Sequence, residues 1–222
     1  VPLALRDAGF SSDRHWEIYL PALLLSMVVM APFVVVAEKY RRLKPVFLGA
    51  ILTLALTEFG LLNLHDTVLE MAVLLLVFFS AFNLLEATLP SLIAKMAPPD
   101  AKGTAMGVYS SSQFLGAFAG GAIGGWLRGL FGLKGVFAFT TFGALAWLLV
   151  AWSMANPRHL SSYLLNVGNL DETEARLLAS RLSEVQGVAE AVVVAAEGVA
   201  YLKVDRHVLD EMALRELVAS EC

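Results

Sequence analysis

Cys222 is the one cysteine in 222 residues. A single thiol rules out an intrachain disulfide framework and a thiolate cluster for a metal. No spacing among the histidines and acidic residues matches a metal motif either; His65, Asp66 and Glu70 read as a solvated loop. The chain has no GxGxxG, no GxxxxGK[ST] and no nucleophile elbow. His207 and Cys222 are single and far apart in sequence, and neither supports catalysis on its own. No metal, no cofactor and no enzymatic activity are therefore expected. Charge is scarce too: 16% of residues are charged, with a formal net charge of −4. The chain lacks a basic patch, so nucleic acid is not an expected partner.

What remains is apolar. Hydrophobic residues make up 58% of the chain, with a mean hydropathy of +0.69. These values belong to a membrane protein, with lipid as its first partner. The scarce charges divide unevenly. Residues 1–160 carry eleven Lys/Arg and nine Asp/Glu, whereas residues 161–222 carry five and eleven. Two parts made for different solvents meet near Pro157. The expected organisation is a transmembrane domain over 1–157, a linker over 158–162 and a small polar domain over 163–222.

Five stretches are long enough, at about 1.5 Å per residue, to cross a hydrocarbon core of roughly 30 Å. They run about Trp16–Ala37, Pro45–Leu64, Val68–Lys95, Thr104–Leu127 and Gly135–Ala155. Lys39, Arg41, Arg42, Lys44, Lys95, Lys102 and Arg158 fall on one side, against Arg6, Arg14, Arg128 and Lys134 on the other. The richer side is expected to be cytoplasmic, which places the C-terminal domain in the cytoplasm. The opening VPLAL reads as the end of an earlier apolar segment, so the chain is expected to be the C-terminal part of something longer.

The fourth span is rich in glycine. Gln113, Gly116, Gly120 and Gly124 share one face at helical spacing. Each interior glycine costs a water-exposed helix about 1 kcal/mol relative to alanine. In a bilayer, small residues let helices approach closely, so this face is expected to be a packing surface that slides.

Ionisable groups inside spans are costly and are functional candidates by default. Glu86 lies about nine residues, roughly 13 Å, from the cytoplasmic end of the third span. Ser80, Asn83 and Glu86 form a polar face on that helix. Glu86 reads as a proton carrier or substrate contact, or as a structural acid bonded to a neighbouring helix. Asn83 and Gln113 are the supporting polar groups. Glu58, near the outer end of the second span, either takes part or pairs at the interface. Glu38 sits at the C-terminus of its helix, where the dipole disfavours an anion. Arg41, Arg42 or another helix end must compensate, either as a gating contact or as a local ion pair.

Past Ser161 the pattern changes. Tyr163–Val167 has strand length, and Asn169 or Asp171 caps a helix from about Glu172 to Val185. Val188–Ala195 and Val199–Val204 form strands joined at Glu197-Gly198. Leu209–Ala219 is a second helix. The order β-α-β-β-α suggests a small ferredoxin-like domain.

Three stretches resemble a known family. WEIYLPALLLSMVVMAPFVVVAEKYRRLK resembles the eighth span of a major facilitator superfamily transporter of the YajR-type bacterial group. Its end, with Glu38, Arg41 and Arg42, resembles the second copy of the superfamily's cytoplasmic loop motif. FNLLEATLPSLIAKMAPPDAKGTAMGVYSSSQFLGAFAGGAIGG resembles spans ten and eleven, and the tail resembles the group's YAM domain. The fold class this implies is an all-α polytopic membrane bundle, the C-terminal half of a major facilitator fold, followed by a small α+β ferredoxin-like domain. The resemblance implies a missing N-terminal six-helix half and alternating access. It also implies proton-coupled export of a small-molecule substrate across the bacterial inner membrane. The tail is also similar in strand order to heavy-metal-associated domains. Where those carry CxxC, residues 168–173 here are GNLDET, so copper-type binding is not expected. The rival reading is a non-transporting membrane scaffold or sensor whose cytoplasmic domain recruits a partner.

Overall fold

The computed structural model describes residues 1–7, 9–64, 67–98, 101–155, 160–168, 170–205, 208–214 and 217. His65, Asp66, Arg158, Asn169, His207 and Cys222 lie outside the described residues. The chain divides into two compact units. One comprises Val1–Ser91 and Ser110–Asn156; the other comprises Leu92–Tyr109 and Pro157–Cys222.

The long helices lie mostly in the first unit. A short helix α1 (Pro2–Asp7) precedes α2 (Trp16–Lys39), α3 (Leu43–Asn63) and α4 (Val68–Met96). The long helix α5 (Lys102–Trp152) is broken inside at Gly132, where φ is 68° and ψ is −160°. Among the described residues, four helices are long and apolar enough to cross a membrane. The fourth of them, α5, has 51 residues, which as one straight rod would measure about 77 Å, far beyond a ~30 Å core.

The contacts show that its two arms run in opposite directions. Leu133 packs against a buried cluster that includes Ile18 and Met71, at the N-terminal ends of α2 and α4. At the far end, the Met154 carbonyl accepts from Lys44 Nζ at the start of α3. The fourth and fifth sequence-expected spans are therefore the two arms of α5. Gly132 permits the break, since its backbone conformation is essentially closed to other residues. Gly135 completes it, because a Cβ there would stand 2.5 Å from Phe131 Cβ. Gly132→Val is expected to cut the yield of monodisperse, membrane-inserted protein by more than half, read by size exclusion in detergent.

Burial follows from a membrane setting. One core joins Phe47, Ile51 and Leu54 of α3 to Leu84 and Leu85 of α4 and Ala151 of α5. Outward, Phe114, Phe118 and Leu149 are each 75% exposed. Such large apolar surface calls for lipid or another protein rather than water. α4 starts with a capping box. Thr67 Oγ1 accepts from Glu70 N and Glu70 Oε2 accepts from Thr67 N, each at 3.2 Å. Glu70 thus caps a helix instead of sitting in a solvated loop.

The second unit contains a three-stranded antiparallel sheet ordered β1-β3-β2, from β1 (Ser161–Asn166), β2 (Val188–Val194) and β3 (Val199–Val204). Helix α6 (Glu172–Glu184) lies between β1 and β2 in sequence. β1 starts at Ser161, two residues before the expected apolar run, because Ser161 and Ser162 pair with Val204 and Lys203. Gly198 turns the β2–β3 hairpin in the left-handed region, with φ 64°. Leu178 and Leu182 of α6 bury against Ala200, Leu202 and Val204 on one sheet face. Residues 211–214 form a helical turn capped by Asp210, while the rest of the expected second helix falls largely outside the described residues.

Asp171 caps α6. Its Oδ1 accepts from the Thr173 and Glu174 amides at 2.7 Å, and Glu174 Oε2 accepts from Asp171 N at 2.9 Å. Asp171→Ala is expected to destabilise this unit by about 1 kcal/mol. Asp171→Ser should recover most of the loss, read as protease resistance of the tail in membranes.

Candidate functional site

Helix α4 is the polar spine of the first unit. Asn83 and Ser91 are eight residues apart, slightly over two turns, and both reach α2. Asn83 Nδ2 donates to Ser26 Oγ at 2.8 Å, and Ser91 Oγ donates to Glu38 Oε1 at 2.9 Å. Glu86 lies about 60° around the helix from Asn83 and reaches α5 instead. Gln113 Nε2 donates to both Glu86 carboxylate oxygens, at 2.8 and 3.1 Å. α4 is thus tied to both neighbours by polar groups that would be costly to leave facing lipid.

Pro90 contributes locally. It has no N–H, so the donor that would close the helical turn on the Glu86 carbonyl is missing. The Glu86 side chain bonds across to α5 at the level where its own carbonyl lacks a helical donor.

The sequence-derived candidates fall into separate places. Glu86 and Gln113 are exposed and face each other, and Asn83 is half-buried on the α2 side. Glu58 belongs elsewhere: its Oε2 accepts from Thr140 Oγ1 at 2.7 Å, joining α3 to the second arm of α5. Glu38 is held by Ser91 at the C-terminal end of α2. Arg41 turns the chain from α2 into α3 with φ 56°. Arg42 lines a cavity of about 550 Å³ between α2, α3 and α4, whose other polar lining is Thr53 and Ser80. Glu86 and Gln113 are not among its lining residues. At Gly116, Gly120 and Gly124 a Cβ would meet nothing within 4 Å, so this face has room for a close neighbour.

Sequence reasoning missed three partners: Ser26, Ser91 and Thr140. The available signal was a hydroxyl isolated in an apolar run, as in LLLSMVV around Ser26. Ser26 is fully buried, and its own hydroxyl donates to the Leu23 carbonyl at 2.7 Å. It can therefore accept from Asn83 without an orphan group. Among the described residues, no group of three or more His, Cys, Asp or Glu could hold a metal.

A bundle of apolar helices bridged internally by a carboxylate, amides and hydroxyls defines a polytopic membrane protein with a polar interior. The sequence model of the Major Facilitator Superfamily matches residues 15–200. The chain belongs to that superfamily. It is 39% identical over 219 residues to "Inner membrane transport protein YajR" of Escherichia coli (strain K12), covering 98% of this chain and 48% of that protein. It is 32% identical over 120 residues to an uncharacterized transporter of Buchnera aphidicola subsp. Acyrthosiphon pisum (strain APS), covering 54% of this chain and 31% of the relative. A second Buchnera transporter, from the Baizongia pistaciae subspecies (strain Bp), is 39% identical over 75 residues, or 34% of this chain and 19% of that one. The chain spans about half the length of the first of these relatives, at 48%, and less of the others. These relatives are named as transport proteins, not enzymes.

Proposed function

We propose that this chain forms the C-terminal half of a bacterial inner-membrane secondary transporter that exports a small molecule in exchange for protons. The observation that supports this most is the Glu86–Gln113 pair. A carboxylate within a span and open to approach from one side suits a group that binds and releases a proton as access alternates. Asn83 positions α4 on α2, and Glu58 steadies the outer half through Thr140. Glu38, with Arg41 and Arg42 in the same short connection, forms the cytoplasmic gate. The Gly116/Gly120/Gly124 face is where the missing six-helix half approaches and slides. The strand order β1-β3-β2 supports a ferredoxin-like tail, and the Lys/Arg bias of the short loops supports its lying in the cytoplasm.

The test uses inside-out membrane vesicles containing the full-length transporter. An imposed pH gradient should drive uptake of at least one compound from a panel of small amphipathic cations and sugars. Its addition should dissipate the gradient, read by a pH-sensitive dye. Correctly inserted protein that neither moves nor responds to any panel member overturns the reading and leaves a scaffold that recruits partners through its tail.

A further inference from the structure

The sheet of the second unit has α6 on one face only. The alternate residues point the other way: Ser162 on β1, Glu190 on β2, and Tyr201 and Lys203 on β3. A lysine on an uncovered sheet face extends its ammonium into water. Lys203 does not: its side chain is 7% exposed. Its Nζ pairs with Glu190 Oε2 at 3.1 Å and donates to the Met96 carbonyl at 3.4 Å. Met96 is the last residue of α4. Its carbonyl is one of the final four that a helix leaves without an internal donor. A cation there also meets the negative end of the helix dipole.

The next helix is tied to the same sheet. Lys102, the first residue of α5, donates from Nζ to Ser162 Oγ on β1. Residues 92–109 belong to the same compact unit as the tail. The last residue of α4 and the first of α5 are therefore each fastened to the sheet face that α6 leaves open.

We propose that this open face is an intramolecular docking surface for the last residue of α4 and the first residue of α5, with Lys203 as its central pin. The tail then governs how freely the two helix ends move past each other. Only 5 of the 16 basic residues lie beyond residue 160. Placing one of these few cations under a helix C-terminus, with Glu190 beside it, matches the chemistry of that occupant. This proposal does not depend on the transported substrate or on Glu86.

Hydrogen exchange on the intact protein in native membranes or nanodiscs tests it. Lys203→Met is expected to speed exchange in residues 92–109 at least ten-fold, with the amides of β1–β3 unchanged. Lys102→Ala removes only the second fastening and leaves the sheet untouched, so it should speed the same segment by a smaller factor. A Lys102→Cys/Ser162→Cys pair in a Cys222→Ser background should link through a short bismaleimide. Mass spectrometry should recover the joined peptide several-fold less when Lys203→Glu is added. If Lys203→Met also loosens the sheet, the Lys102→Ala exchange and the cysteine pair decide the matter. Unchanged exchange with Lys102→Ala together with no linked peptide overturns the proposal.

Discussion

Glu86→Gln is expected to abolish pH-gradient-driven transport in the full-length protein while leaving membrane insertion intact. The substitution keeps the side-chain length. The new amide still hydrogen bonds with Gln113, which now holds Glu86 at 2.8 Å. Interhelical hydrogen bonds in membranes contribute about 0.6 kcal/mol on average, so the change costs little in stability. What is lost is the carboxyl that the proposed mechanism uses as its proton carrier. If that carrier is obligatory, flux falls by well over ten-fold, which corresponds to more than ~1.4 kcal/mol at the limiting barrier. Gln113→Leu gives the complementary result. It leaves a titratable carboxyl but removes its amide donor, so transport should weaken without disappearing. Flux in vesicles, corrected for inserted protein by immunoblot, measures both. Normal transport by Glu86→Gln would reduce Glu86 to a helix-bridging acid.

Gly187→Ala is expected to unfold the tail. Gly187 has φ +89°, a conformation that L side chains rarely adopt. An added Cβ would stand 2.5 Å from Leu209 Cα and 2.7 Å from Leu209 N. Those atoms are backbone and cannot rotate away. Both sides are also pinned. The Asp205 amide donates to the Gly187 carbonyl at 2.8 Å, and the Asp210 amide donates to the Gln186 carbonyl at 3.1 Å. Backbone strain of about 1–3 kcal/mol therefore combines with a clash that only a main-chain shift relieves. A domain of about 60 residues has little stability in reserve. Trypsin should remove the tail of this variant from inside-out vesicles under conditions in which the parent tail survives. Gly168→Ala is the control. It has φ +71° but open space around its Cβ, so it should lose only the strain contribution. A Gly187→Ala tail as resistant as the parent would mean that the Leu209 segment yields easily.

The fold was largely legible because the bilayer imposes coarse rules. Length and apolarity located α2, α3, α4 and both arms of α5, with the break between the arms at Gly132. In the tail, the Glu197-Gly198 turn and the Asp171 cap stand where local chemistry puts them. A turn or a cap is decided within four residues, so neighbouring sequence suffices. The Thr67–Glu70 capping box was equally local, and its T-x-x-E signature lay in plain view ahead of an apolar run.

The site was legible as residue types and not as pairs. Glu86, Asn83, Glu38 and Glu58 stand out because charge and amide groups are costly in hydrocarbon. Their partners Gln113, Ser26, Ser91 and Thr140 are 27, 57, 53 and 82 residues away in sequence. Choosing among such partners requires the rotation of each helix about its own axis. Helices that are apolar nearly all round carry little amphipathic signal to set that rotation.

The sequence by itself determined the solvent, the positions of the long apolar helices, the side chains that cannot be left unpaired in lipid, and the order of elements along the tail. Only the tertiary structure decided that α4 is tied to α2 through Asn83 and Ser91 and to α5 through Glu86. It alone grouped residues 92–109 with the tail and buried Lys203 beneath the end of α4. The reason is physical: hydrocarbon makes every polar group find a partner, but which partner it meets depends on how the helices pack.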